Sequence, residues 1–343
     1  MKAGQFVRPF APPVLQEVER PRIESPTDVV VRIGGAGVCR TDLHILDGVA
    51  PLQPPPPPPF TLGHENAGWV EEVGSDVIAV RRGDPVLLHP GITCGLCPAC
   101  RQGEDMFCPR IRFPGVDGSD GGYAEFLRTS IRAVVPLAPG AEPATLSPLA
   151  DAGVTAYHAV RRLVGTIRAD SVVLVLGVGG LGHLGIQLLR EMTPARVLTA
   201  DTRPERLELA QQLGSEGGYL TTDATFVEQV RKACDGQGPD VVLDFVGEDS
   251  TPELAFRVLR RGGTYSVVGY GGVLSVPTVS VITQEYHVLG NFVGTYRDLT
   301  ELVGLERRGG VRVIVRKYPL EKVAEAVDDL RHGRVVGRAV LIP

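Results

Sequence analysis

No stretch of this sequence approaches the ~20 consecutive apolar residues that a membrane-spanning helix needs. The longest candidate, residues 172–182, is broken by glycine and reads as a buried strand followed by a turn. The first seven residues, MKAGQFV, lack the long apolar core of a secretory leader, so the expected location is cytoplasmic. Positive charge is not in excess either. A net charge of −5 gives no electrostatic reason to expect nucleic acid or an anionic membrane as partner. There is no internal repeat, and low complexity is confined to the six prolines 54–59. Proline cannot join a sheet ladder, so this tract reads as a stiff polyproline II loop. The alternative is a rim over an active-site mouth, given that His64 follows so closely.

What is present fits a soluble globular protein of ordinary composition. The 343 residues suggest two domains at ~100–200 residues each, enough to bury cores without disulfide staples. Residues 1–150 carry β-branched runs at 28–33, 67–73, 84–88 and 123–127 with no long helical period between them, which predicts a small barrel-like β domain. The pattern changes near residue 150. Helices are expected at 152–163, 181–192 and 205–213, alternating with strands at 171–176, 196–200, 241–244 and 264–268. Alternation of that kind predicts a doubly wound parallel sheet. The tail adds a strand at 311–315, a helix carrying Leu320, Val323, Val327 and Leu330 that Gly333 stops, and a closing strand at 338–342.

Gly177-Val178-Gly179-Gly180-Leu181-Gly182 matches G-x-G-x-x-G and lies between an expected strand and an expected helix, the context in which that motif binds a dinucleotide. The first glycine makes the turn, the second lets the backbone approach the pyrophosphate, and the third lets helix and strand pack closely. The free N–H groups of the helix start then face the phosphates. Asp201, 19 residues beyond Gly182, stands where a carboxylate accepts hydrogen bonds from the adenosine ribose and repels a 2′-phosphate, which favours NAD over NADP. Arg203 and Arg206 lie nearby and soften that preference, and Arg206 is a further candidate cofactor contact. The competing reading is a glycine turn that binds nothing, with Asp201 capping the next helix.

Six cysteines are present, and Cys94, Cys97, Cys100 and Cys108 fall within fifteen residues. Four thiolates on a short loop suit a closed, structural tetrahedral zinc site, with an iron–sulfur cluster as competitor. A nucleic-acid-binding ribbon would also use such a loop, but Glu104 and Asp105 interrupt its Arg101, Arg110 and Arg112. Cys39 and His64 form a weaker pair: taken singly, such residues are more often core cysteine and hydrogen-bonded histidine.

The residues around that pair raise their standing. Gly37-x-Cys39-x-Thr41-Asp42-x-His44, then Gly63-His64-Glu65-x2-Gly68-x5-Gly74-x2-Val77, then the four-cysteine lobe, the glycine fingerprint and Asp201 follow one another in the order seen in the zinc-containing alcohol dehydrogenases of the medium-chain dehydrogenase/reductase family. The chain resembles that family, of the bacterial secondary-alcohol type, along essentially its whole length. The resemblance implies an α/β architecture: a discontinuous GroES-like catalytic domain at 1–150 and 291–343, with a structural zinc lobe near 91–112, and a Rossmann NAD-binding domain at 151–290. It implies two zinc ions per chain. Cys39 and His64 ligate the catalytic one, and Asp151 occupies the position where many relatives have a third cysteine. An oxygen donor there leaves the metal more electrophilic; the competing role for Asp151 is a helix N-cap. Glu65 is implied to lie close to the metal and to orient the site or ligate transiently.

The same resemblance implies the chemistry. Zinc lowers the pKa of the bound alcohol, an alkoxide forms near neutral pH, and hydride passes to NAD, or the reverse. The proton is expected to leave from Thr41 through the nicotinamide ribose to His44, whose intrinsic pKa is ~6.5; the competing reading of His44 is a surface residue on a short helix. Arg40 is implied to contact the pyrophosphate and Arg338 to sit near the cofactor, with Val268, Phe292 and Val293 passing near the nicotinamide. Leu46, Phe113, Tyr123 and Phe292 are the expected pocket lining, mostly apolar, which points to a hydrophobic secondary or aromatic alcohol. His89, His158, His183, His287 and His332 match no motif and read as structural, and Cys234 as inert. A homo-oligomer, tetramer or dimer, is implied. The rivals are a relative acting on polyols or aldehydes, and a non-catalytic dinucleotide-binding protein; the latter generally lacks the zinc ligands retained here.

Overall fold

The structure is a computed structural model that describes residues 1–49, 57–248 and 250–343. Residues 54–56 of the proline run therefore lie outside the described residues. The chain divides into two compact units, Met1–Val154 with Thr295–Gly304 and Val313–Pro343, and Thr155–Gly294 with Leu305–Arg312.

The first unit is built around a seven-stranded sheet. Its path runs Val315–Pro319, Arg338–Ile342, Asp28–Gly37, Glu65–Val73, Pro85–Leu88 and Val134–Pro136, with Phe126–Ser130 pairing alongside Asp28–Gly37. Asp28–Gly37 is the organising strand: its Val29, Val30 and Val31 are fully buried, as expected of a β-branched run between partners. The last strand of the chain pairs with it antiparallel, Val340 opposite Gly37. That register is how the far end of the sequence reaches the neighbourhood of Cys39. A smaller sheet joins Val14–Glu17, Lys2–Phe6 and Phe60–Thr61.

Two strands differ from the sequence reading. The strand expected at 123–127 forms at Phe126–Ser130. Residues 121–124 are taken up by other partners: Gly122 and Tyr123 donate to Gly63 and Leu62, and Ala124 bridges Ala3. The strand expected at 311–315 forms at Val315–Pro319, because its parallel partner begins only at Arg338, directly opposite Val315.

The second unit is a six-stranded, wholly parallel sheet in the order Gly217–Leu220, Arg196–Asp201, Val172–Leu176, Val241–Asp244, Thr264–Val267, His287–Gly290. Val172–Leu176 is buried along its whole length, the signature of a central parallel strand covered on both faces. On one face Leu174, Leu176, Leu198, Val242 and Tyr265 close onto Phe226, Val230, Ala255 and Val258. The strand order reverses between Val172–Leu176 and Val241–Asp244. In open α/β sheets such a switch point leaves a crevice at the carboxyl ends of the strands where ligands bind.

Candidate active site

In the first unit the strands Asp28–Gly37 and Glu65–Val73 run antiparallel with Gly37 opposite Glu65. Cys39 follows the end of one and His64 precedes the start of the other, so the two side chains meet at the same edge. Glycine is required at 37, since a Cβ there would run into the Glu65 carboxylate. Asp151 comes from a third place, between the turn Ser147–Ala150 and the helix Ala152–Leu163. The thiol, imidazole and carboxylate donor atoms of Cys39, His64 and Asp151 all lie within 4.8 Å of one another, and His64 Nε2 is 3.3 Å from Asp151 Oδ2.

The surrounding groups are buried and charged. Asp42 is fully buried in the first turn of the helix Arg40–Leu46, where Oδ2 accepts the Cys39 N–H at 2.8 Å and the Tyr123 hydroxyl at 2.6 Å. Its Oδ1 faces His64 Nδ1 at 3.4 Å. A carboxylate behind a ligating histidine fixes the ring and raises its basicity. Glu65 Oε1 accepts the Ala152 N–H at 2.9 Å. Arg338 donates from Nε to Glu65 Oε2 at 2.7 Å and reaches Asp151 Oδ2 at 3.4 Å. Arg338, expected near the cofactor, is 3% exposed with its guanidinium held between these two carboxylates, because the final strand delivers it beside Cys39. Asp42 and Arg338 are the shell residues whose roles the sequence reading missed. Asp42 had one available signal, its place three residues after Cys39 at a helix start, where a carboxylate can reach back to the Cys39 N–H.

This charge balance bears on metal fit. Burial works against a charged His64, yet Asp42 and Asp151 raise its pKa well above the ordinary histidine value. Burial pushes Glu65 up to about 7, with Arg338 opposing and Asp151 reinforcing. Burial also acts to raise Asp151, but His64 and Arg338 outweigh it and hold the carboxyl at about 2. Three buried carboxyl groups and a thiol face one arginine, so the centre attracts further positive charge. A divalent cation satisfies the same demand. Sulfur, nitrogen and oxygen donors with a second-layer carboxylate on the imidazole suit zinc. Three protein donors leave a fourth position for substrate.

Thr41 and His44, three residues apart on the helix Arg40–Leu46, share one face of it, and both are half-buried; Arg40 is exposed at its start. Leu46 and Phe113 are buried in this unit. Tyr123, expected to line the pocket, is completely buried with its hydroxyl on Asp42.

The second cysteine set is equally well gathered. The sulfurs of Cys94, Cys97, Cys100 and Cys108 lie within 4.8 Å of one another, with Cys97–Cys100 at 3.4 Å and Cys94–Cys100 at 4.0 Å. Zinc–sulfur bonds of ~2.3 Å in a tetrahedron require sulfur separations of this size. The N–H groups of Leu96 and Cys97 point at Cys94 Sγ and bring that thiol down to about 5. Cys234 lies apart and buried, its thiol pushed up to about 11 by burial, as befits an inert core residue.

In the second unit the glycine-rich turn follows Val172–Leu176 and opens the helix Gly182–Met192. Gly177 has φ +86°, and a Cβ on Gly182 would run into the Gly177 carbonyl, so first and third glycines have steric reasons to be glycine. At Gly179 a Cβ would meet nothing within 4 Å; the open space needed for a pyrophosphate begins there. His183 is buried with Nδ1 3.1 Å from the Gly179 carbonyl, a structural role. Asp201 ends its strand with Oδ2 accepting the Val178 N–H at 2.8 Å, while Arg206 approaches Oδ1 at 3.5 Å. Val268 follows the Thr264–Val267 strand, and Val293 has φ +49°, a strained conformation for a β-branched residue. Phe292 is half exposed.

Comparison with known proteins agrees with this geometry. Residues 25–139 match the alcohol dehydrogenase GroES-like domain and residues 180–306 the zinc-binding dehydrogenase domain. An NAD-dependent alcohol dehydrogenase of Sulfolobus acidocaldarius is 32% identical over 99% of both chains, and an alcohol dehydrogenase of Geobacillus stearothermophilus is 34% identical over 99% of both. The crystal structure of the alcohol dehydrogenase from Aeropyrum pernix superposes with a TM-score of 0.97 at 44% identity, covering all of both chains.

Proposed function

The chain belongs to the zinc-type alcohol dehydrogenases of the medium-chain dehydrogenase/reductase family, and on that premise we propose that it interconverts an alcohol and its ketone or aldehyde with NAD at the Cys39–His64–Asp151 centre. The observation that carries this reading is the convergence of those three donors from separate parts of the chain. We assign the catalytic domain to 1–150 and 291–343 and the NAD-binding domain to 151–290.

When bound, zinc and NAD supply Lewis acidity at the alcohol oxygen and a hydride acceptor at the nicotinamide. The chain's own residues do the rest. Cys39, His64 and Asp151 hold the metal, Asp42 orients the imidazole through Nδ1, and Arg338 keeps Glu65 and Asp151 in place. Thr41 Oγ1 takes the proton of the alcohol hydroxyl as its own hydroxyl proton passes on toward His44, which carries it outward. The cofactor site is assigned to Arg40, Gly177, Gly179, Gly180, Leu181, Gly182, Asp201, Arg206, Val268, Phe292 and Val293. Cys94, Cys97, Cys100 and Cys108 hold a second, structural zinc. Among the described residues no helix is long and apolar enough to cross a membrane. A cytoplasmic homo-oligomer, dimer or tetramer, acting on a hydrophobic alcohol completes the proposal.

The test is NAD reduction, followed by absorbance, with primary, secondary and benzylic alcohols before and after chelation. Turnover that chelation abolishes supports the proposal. Absence of turnover with every alcohol, by a protein that retains its zinc, contradicts it.

A further inference from the structure

Asp244 is a fully buried carboxylate that none of the roles above uses. It ends the strand Val241–Asp244, on the opposite side of the switch point from the glycine-rich turn. Oδ1 accepts the N–H groups of Val246 at 2.8 Å and Gly247 at 3.0 Å. Oδ2 accepts the hydroxyl of Tyr265 at 2.9 Å, from the neighbouring strand. Tyr265 is itself 1% exposed and packed on Phe256 with ring centroids 5.1 Å apart. A buried carboxylate is costly unless donors surround it. Two of these three donors belong to the turn 245–247, at the crevice end of the sheet, and none lies within the sheet ladder.

That turn is wedged between two segments assigned to the cofactor. On one side Val246 Cγ2 lies only 2.5 Å from where a Gly177 Cβ would stand, and the Phe245 ring covers Gly185, in the helix that the fingerprint opens. On the other side a Cβ on Gly269 would run into the Val246 carbonyl, and a Cβ on Gly247 into the Gly269 carbonyl. Gly272 donates to the Gly247 carbonyl at 2.9 Å, and Val268 to the Asp244 carbonyl at 2.9 Å. The turn therefore sets the distance between the fingerprint and the 268–272 loop.

We propose that Asp244 and Tyr265 are positioning residues for the dinucleotide: the phenol holds the carboxylate, the carboxylate holds the 245–247 turn, and the turn spaces the two lips of the crevice. This rests on the assignment of that crevice to NAD. Both side chains are buried and neither belongs to a metal donor set, so their effect falls on cofactor affinity rather than on the metal.

The experiment is NADH titration of the zinc-loaded enzyme by fluorescence, with zinc content and melting temperature measured on the same samples. Wild-type protein that does not bind NADH would sink the NAD assignment itself, separately from this proposal. Given wild-type binding, Asp244→Ala weakens NADH by about tenfold, the scale of losing a buried hydrogen-bond acceptor, with zinc content unchanged. Asp244→Asn keeps a carbonyl oxygen for Val246 and Gly247 and restores most of the affinity. Tyr265→Phe falls between the two. Variants that melt earlier yet bind NADH as the wild type does would overturn the proposal, as would Asp244→Asn behaving no better than Asp244→Ala. Should Asp244→Ala not fold, Tyr265→Phe decides: wild-type affinity in that variant overturns it.

Discussion

Asp42 illustrates how a single residue holds the metal centre. Its carboxylate accepts from the Cys39 amide and the Tyr123 hydroxyl and faces the His64 ring, so one side chain links two candidate ligands and the wall behind them. Asp42→Ala is expected to cost ~10–100-fold in catalytic-zinc affinity or activity, while the four-cysteine zinc stays bound; metal analysis beside kcat/KM checks this. Gly37→Ala is expected to displace the Glu65 carboxylate and to lower activity with little change in zinc content, which the same two measurements resolve. That Cys39, His64 and Asp151 gather in one place was legible in the sequence through the family resemblance alone, since each residue taken singly is a weak signal. The ion pairs of Arg338 were not legible because its partners Asp151 and Glu65 lie 187 and 273 residues away, and only the pairing of the last strand with Asp28–Gly37 brings them together. Tyr123 reads as pocket lining from its type, whereas burial and a hydrogen bond to Asp42 decide its place.

At the scale of elements, the parallel sheet was the easiest part to read. Val172–Leu176, Arg196–Asp201 and Val241–Asp244 are buried, β-branched and bounded by glycine or charge, and they form within a residue of expectation. The strands at 126–130 and 315–319 were misread in position, since hydrophobicity alone does not reveal which partner a strand will find. Leu174→Ala, at a fully buried position of the central strand, is expected to cost ~2–5 kcal/mol, seen as a lower midpoint in denaturant titration. The four-cysteine lobe holds little regular structure beyond short helical turns at Pro98–Arg101 and Asp105–Phe107. On the proposed structural zinc its order would rest on the metal, so Cys100→Ser is expected to lose one zinc per chain and expose the lobe to protease, with the loss visible by metal analysis and limited proteolysis.

At the scale of the whole molecule, Cys39, His64 and Asp151 lie in one compact unit, and the glycine-rich turn with Asp201 lies in the other. Cofactor choice belongs to this scale. Asp201 ends its strand beside the glycine-rich turn, with its carboxylate accepting the Val178 N–H, and on the proposed function that carboxylate would disfavour a 2′-phosphate. The enzyme is expected to favour NAD over NADP in kcat/KM, and Asp201→Gly to narrow that ratio; equal use of both cofactors by the wild type would remove Asp201 as the discriminating residue.

The central claim is that Asp151 completes an open catalytic zinc site separate from the four-cysteine lobe. Zinc content per chain, measured on wild type and on Asp151→Ala, tests it most directly. With one ion for each donor set, wild type should hold about two zinc ions and Asp151→Ala about one, with turnover abolished and the lobe intact. Wild type holding one ion, with Asp151→Ala unchanged in zinc and in turnover, would contradict the account.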